Sequence, residues 1–164
     1  MMSFKNTIIG LTLLSAYAGS ALAEDIIRHP IPNSDFPILQ AVEIPSDSTT
    51  VYLSGTVPSI INEDADPNSM EAFGTTEEQT VTVMNRIKSH LEGLGLGVGD
   101  IVKMQAFLVA PEGETVDFKG FMAGYTQFFG TEEQPNLPVR SAMVVDALVN
   151  PGWLVEIEVT AVRP

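Results

Sequence analysis

The chain has 164 residues, with 8 lysines and arginines against 21 aspartates and glutamates and a net charge of −13. So acidic a surface repels nucleic-acid backbones and anionic lipid headgroups, and neither is expected as a partner. It contains no cysteine, which removes disulfides and thiolate chemistry and leaves stability to the core or to oligomerisation.

The first residues read as a leader. Lys5 gives a basic start, Thr7 to Ala18 is apolar, and Ala21-Leu22-Ala23 is a small-residue cleavage site. This predicts a secretory signal peptide over 1–23, cut after Ala23, and a periplasmic or secreted protein. The apolar stretch is short for a spanning helix, so no membrane attachment is expected after cleavage. Residues 24–164 have the size of a single domain.

Ile26-Ile27-Arg28 predicts a short strand, and Pro30, Pro32 and Pro37 a rigid lead-in. Ile38 to Ile44 and Thr50 to Gly55 predict two further strands. Asn62 to Gly74 is acidic, contains Pro67 and lacks periodicity, so it is expected to be a loop. Thr75 and Glu78 stand at capping-box spacing and open a helix. Met84, Ile87, Leu91 and Leu94 mark its apolar face, and Gly93, Gly95 and Gly97 end it. Ile101 to Val109 is a strand with Met104, Ala106 and Leu108 on one face. Asp117 caps a second helix whose buried stripe is Phe118, Phe121, Met122, Tyr125 and Phe128. Val139 to Ala147 and Leu154 to Val162 close the chain as a hairpin about Asn150-Pro151-Gly152. The order predicts an α+β fold, one sheet with both helices on one face.

Several motifs carry no chemistry. Gly93-Leu94-Gly95-Leu96-Gly97 leaves a helix and enters a strand, the reverse of a dinucleotide loop. Asp64-Ala65-Asp66-Pro67-Asn68 alternates oxygen ligands, but Ser69 and Thr75 stand where a calcium loop needs glycine and glutamate. The only histidines, His29 and His90, form no paired motif, so no metal site is expected. Ser54-Gly55 is not a nucleophile elbow.

Arg140 and Glu156 remain. A guanidinium grips a carboxylate through two parallel hydrogen bonds, and a strand-borne glutamate activates water. Taken alone, each charge is equally a surface ion or half of a structural pair. If Asp146 pairs with Leu154 in the hairpin, both point to the same side of the sheet, about 13 Å apart at strand rise. Partners at that distance would have to meet across a subunit boundary.

Five segments, in order, resemble the reactive-intermediate deaminase family (RidA, or YjgF-like, also called endoribonuclease L-PSP): Ser54-Gly55-Thr56-Val57-Pro58, Gly99-Asp100-Ile101-Val102-Lys103, Tyr125-Thr126-Gln127-Phe128-Phe129, Pro138-Val139-Arg140-Ser141 and Val155 to Val162. The resemblance covers about residues 33 to 163. It implies a chorismate-mutase-like α+β fold with one mixed sheet and two helices on one face. It also implies a homotrimer with sites between subunits, and cofactor-free hydrolysis of 2-aminoacrylate-like 2-imino acids to 2-keto acids and ammonia. On that resemblance Arg140 grips the substrate carboxylate, Glu156 orients or activates water, and Ser54 and Gly55 line the pocket. The chain departs from the family where a pocket tyrosine becomes Ile38, a helix asparagine becomes Met122, and a cysteine becomes Ala142. A more apolar pocket is therefore expected, suited to a larger imino acid. The alternative is a trimeric module that binds small carboxylates without turnover. The family's ribonuclease activity conflicts with the charge.

Overall fold

The computed structural model describes residues 25–163. The signal peptide expected over 1–23 lies outside the described residues. Strands β1 (Ile27–Pro30) and β2 (Leu39–Glu43) pair as an antiparallel two-stranded ribbon. Strands β3 (Thr49–Thr56), β4 (Ile101–Leu108), β5 (Val139–Val144) and β6 (Val155–Arg163) form a mixed sheet in the order β3-β6-β4-β5. Helices α2 (Thr76–Gly93) and α3 (Phe118–Tyr125) cover one face of it, preceded by a single turn, α1 (Met70–Phe73). This is the α+β architecture expected, with the ribbon as an addition.

The predicted hairpin does not form. β5 pairs with β4 in parallel, and β4 separates it from β6. Burial accounts for the order. Val155, Ile157, Val159 and Ala161 of β6 are all buried, as are Met104, Ala106 and Leu108 of β4, so these strands take the centre. β5 leaves Ser141, Ala142 and Val144 exposed and suits an edge. The chain from α3 to β5 completes a parallel βαβ crossover. Val145 N–H then donates to Leu108 O at 2.9 Å and Val109 N–H to Leu154 O at 2.9 Å, guiding the return past the end of β4 to β6.

Val83, Met84, Ile87 and Leu91 of α2 and Phe121 and Tyr125 of α3 pack against the inner residues of β4 and β6. Each such side chain contributes about 1.5–3 kcal/mol of burial. The capping box forms as expected: Thr75 N–H donates to Glu78 Oε2 at 2.8 Å, and Glu78 N–H to Thr75 Oγ1 at 3.3 Å. Leu94, expected on the buried face, is half exposed, because the helix has already stopped at Gly93. Gly95 takes φ +71°, and Leu96 N–H donates to Leu91 O at 2.9 Å. Leu96 thus folds back as the apolar residue that closes the helix end. Within the acidic 62–74 loop, α1 buries Ala72 and Phe73. One turn is too short to show periodicity in sequence.

Gln79 is fully buried yet satisfied on both ends. Its Nε2 donates to Gly74 O and Gly152 O, each at 3.0 Å, and its Oε1 accepts from Leu154 N at 2.7 Å. It fastens the start of α2 to the approach of β6. Gln79→Leu should cost about 2–4 kcal/mol in urea unfolding, because three backbone groups lose their partner inside the core. A loss below about 0.5 kcal/mol, the range of an ordinary surface change, would contradict this assignment.

Candidate functional site

The site residues are placed by strand register. Arg140 pairs with Met104 and so projects to the helix-covered face at the open edge of the sheet. Its guanidinium carbon lies 4.3 Å from the ring centre of Tyr125, 5.1 Å from Phe121, 5.5 Å from Phe36 and 6.0 Å from Phe118. Tyr125 is fixed: its ring stacks on Phe129 at 4.7 Å, and its hydroxyl donates to Pro37 O at 2.8 Å. Burial pushes the Tyr125 phenol well above its ordinary value, despite the neighbouring cation. Burial also lowers the Arg140 pKa, with Tyr125 opposing the shift. The guanidinium nevertheless remains a cation in water.

Arg140 Nη1 is buried and has no hydrogen-bond partner. A second half-buried arginine shows what satisfaction looks like. Arg28 Nη1 donates to Leu137 O at 2.6 Å and Ile101 O at 3.2 Å, and its Nη2 donates to Gly99 O at 2.9 Å. Arg28 therefore clamps the roots of β4 and β5 through three backbone carbonyls. Arg140 is held in an aromatic box by cation–π contact, with a donor to spare. A free guanidinium donor of this kind is chemically able to bind a carboxylate.

Other predicted pocket residues belong to the segments that build this corner. Ile38, half-buried, follows Pro37, the acceptor of the Tyr125 hydroxyl. Leu39 N–H donates to Pro138 O at 3.0 Å, joining the lead-in to the head of β5. Met122 adjoins Phe121 on α3 and packs against the core. Ala142 lies one pleat beyond Arg140 on the same face and is exposed. A cleft of about 220 Å³ opens beside Arg140, bordered by Leu39, Gln40, Val139 and Ser141.

Glu156 pairs with Phe107 and faces the other way, onto the side of the sheet opposite the helices. It lies against Gly55, where an added Cβ would collide with its carboxylate. The β3–β6 register shifts between Leu53 and Thr56, so Ser54-Gly55 forms a bulge opposite Glu158. Ser54 borders a hollow of about 300 Å³ on this face with Tyr52, Lys103, Gln105, Glu158 and Thr160.

The expectation that Arg140 and Glu156 point to the same side is therefore overturned. It depended on the hairpin. Their partners on β4, Met104 and Phe107, are three residues apart, and an odd separation along a strand means opposite faces. The predicted residues fall into two groups: Arg140, Ile38, Met122 and Ala142 at the edge, and Glu156, Ser54 and Gly55 on the uncovered face.

Of the α3 rings expected in the buried stripe, Phe121 and Tyr125 are buried but Phe118 is 40% exposed, and Phe36 from the lead-in completes the box. Its signal was faint: Tyr125 is a polar-tipped residue in an otherwise Phe and Met stripe, and such a hydroxyl requires a buried partner. Among the described residues, no group of three or more His, Asp or Glu side chains is arranged to hold a metal. In the acidic loop, Asp66 Oδ1 accepts from Asn68 N at 2.8 Å, a local turn.

The family model described as Endoribonuclease L-PSP matches residues 37–163. The 2-iminobutanoate/2-iminopropanoate deaminase of Salmonella typhimurium is 30% identical over 142 residues, covering 87% of this chain and 99% of that protein. TdcF of Escherichia coli K12 is 32% identical over 132 residues, covering 80% of this chain and 91% of TdcF. The crystal structure of E. coli TdcF with bound serine superposes with a TM-score of 0.56 at 28% identity, covering 86% of this chain and 99% of that one.

Proposed function

Because the chain belongs to the Endoribonuclease L-PSP family, we propose that it is a hydrolase that deaminates reactive 2-imino acids to 2-keto acids and ammonia. The observation that carries this reading is the buried, unpartnered Nη1 of a half-buried Arg140 in its aromatic box. The name of the Salmonella relative supports the substrate class.

Arg140 binds the carboxylate of the imino acid. Water, oriented or deprotonated by Glu156, adds its oxygen to the imine carbon, and the C=N pair moves onto nitrogen, which takes a proton. The resulting carbinolamine collapses: its hydroxyl gives up its proton, which passes through the Glu156 carboxylate to the amine nitrogen, the C–O becomes C=O, the C–N bond breaks, and ammonia leaves. The imine carbon is already electrophilic, so positioning and one activated water suffice without a cofactor. Ser54 and Gly55 line the water side.

Since Arg140 and Glu156 lie on opposite faces of one sheet, the working site on this reading is assembled in a homotrimer, with Arg140 from one subunit and Glu156 from the next. The uncovered sheet face is the surface available for that assembly. Cleavage after Ala23 would place the trimer in the periplasm or outside the cell. A ribonuclease reading conflicts with 21 acidic against 8 basic residues. Ile38 and Met122, apolar where the resemblance has tyrosine and asparagine, favour the binding-only reading as the rival.

An amino-acid oxidase that generates imines in situ tests the choice. The proposal expects accelerated release of 2-keto acid and ammonia at a rate set by the protein concentration. Keto-acid binding by calorimetry with no acceleration would establish the rival.

A further inference from the structure

Of the four rings around Arg140, Phe121 and Tyr125 are fully buried, while Phe36 and Phe118 are 42% and 40% exposed. The exposed pair lies 5.5 and 6.0 Å from the guanidinium carbon. The first two rings belong to the core; the other two are partly exposed beside the guanidinium. Met122 and Ile38 add half-buried apolar surface from the same two segments. In a 2-imino acid the first side-chain carbon is two bonds from the carboxylate carbon. A carboxylate clamped on Arg140 therefore keeps its side chain within reach of these two rings.

Resting on the deaminase reading, we propose that Phe36 and Phe118 are specificity-determining residues and that the preferred substrates are 2-imino acids with an aromatic side chain. The reaction is the same balanced hydrolysis: water adds, ammonia leaves, and an aryl 2-keto acid remains. The enzyme that supplies the substrate is an oxidase or dehydrogenase that removes two electrons and two protons across the Cα–N bond of an aromatic amino acid, with its own electron acceptor as the oxidant. Two offset rings fit a flat aryl group better than a methyl or ethyl group, which would leave both walls in water. Small imines would still bind through the carboxylate and pass through more slowly.

The test compares imines generated in situ from alanine, 2-aminobutyrate, leucine and phenylalanine, with kcat/KM read from keto-acid formation. Calorimetric binding of pyruvate and phenylpyruvate is measured in parallel. The expected result is a preference of at least about tenfold for the phenylalanine-derived imine over the alanine-derived one. Phe118→Ala should collapse that ratio by about tenfold, and Phe36→Leu serves as the second variant should Phe118→Ala fail to fold. Turnover of all imines with no aromatic preference, or a ratio unmoved by both variants, overturns the specificity assignment and leaves the deaminase intact. No turnover, with phenylpyruvate bound more tightly than pyruvate, supports the aromatic pocket and removes the deaminase. Sedimentation of the variants separates a pocket wall from an interface contact: loss of the oligomer in both, with no aromatic preference in the wild type, counts against the proposal.

Discussion

Arg140→Ala is expected to lower kcat/KM for imine hydrolysis on the order of a hundredfold or more, because the contact that holds the substrate carboxylate is lost. Stability should move little or even rise. The side chain is half-buried with Nη1 buried and unpaired, and removing a charged group that is not fully satisfied by the fold relieves a desolvation cost. Arg140→Lys should not rescue activity, since an ammonium cannot form the paired bonds of a planar guanidinium. Arg28→Ala should do the reverse. Its three carbonyl acceptors lie at the roots of β4 and β5, so the protein should lose about 2 kcal/mol or more of stability. Catalysis by what remains folded should be retained. Steady-state kinetics and urea unfolding on both variants check the contrast. An Arg140→Ala protein that is as active as wild type but markedly less stable would make Arg140 a structural residue.

Glu156→Gln is expected to lower kcat by about a hundredfold or more, within the range for loss of a general base. The amide has the size of the carboxylate and fits beside Gly55, where there is no room for a Cβ. Binding of a 2-keto acid, read by calorimetry, should stay close to wild type, because the carboxylate grip is at Arg140. Unchanged kcat would remove Glu156 from the reaction. Weakened keto-acid binding with unchanged kcat would place it in substrate recognition instead.

What was legible in the sequence was whatever is local. The Thr75–Glu78 box and the alternation of Met104, Ala106 and Leu108 need only neighbours in the chain, and both stand as expected. Strand order is not local. Alternation says which side of a strand is buried, not which strand lies beside it, so β5 and β6 were joined as a hairpin when β4 lies between them. That single error carried Arg140 and Glu156 to the same face. The aromatic box is non-local as well, since it needs Phe36, the α3 ring stripe and Arg140 in one place. The clamping role of Arg28 has no sequence signal, because its acceptors are carbonyls of residues 99, 101 and 137 and backbone acceptors leave no mark in a sequence. The five matching segments single out Arg140 and Glu156 by resemblance alone, independently of any geometry inferred within one chain.

The central claim is that Arg140 of one subunit works with Glu156 of the next, and subunit mixing tests it most directly. Arg140→Ala and Glu156→Gln chains carrying different affinity tags would be co-expressed, and the mixed oligomers isolated through both tags. In a cyclic trimer of either mixed composition, one of the three interfaces joins an intact Arg140 to an intact Glu156. Such mixed trimers should therefore recover about a third of wild-type kcat per chain, although each variant alone is nearly inactive. Mixed trimers no more active than the separate variants would contradict the account and place both groups in the service of a single chain.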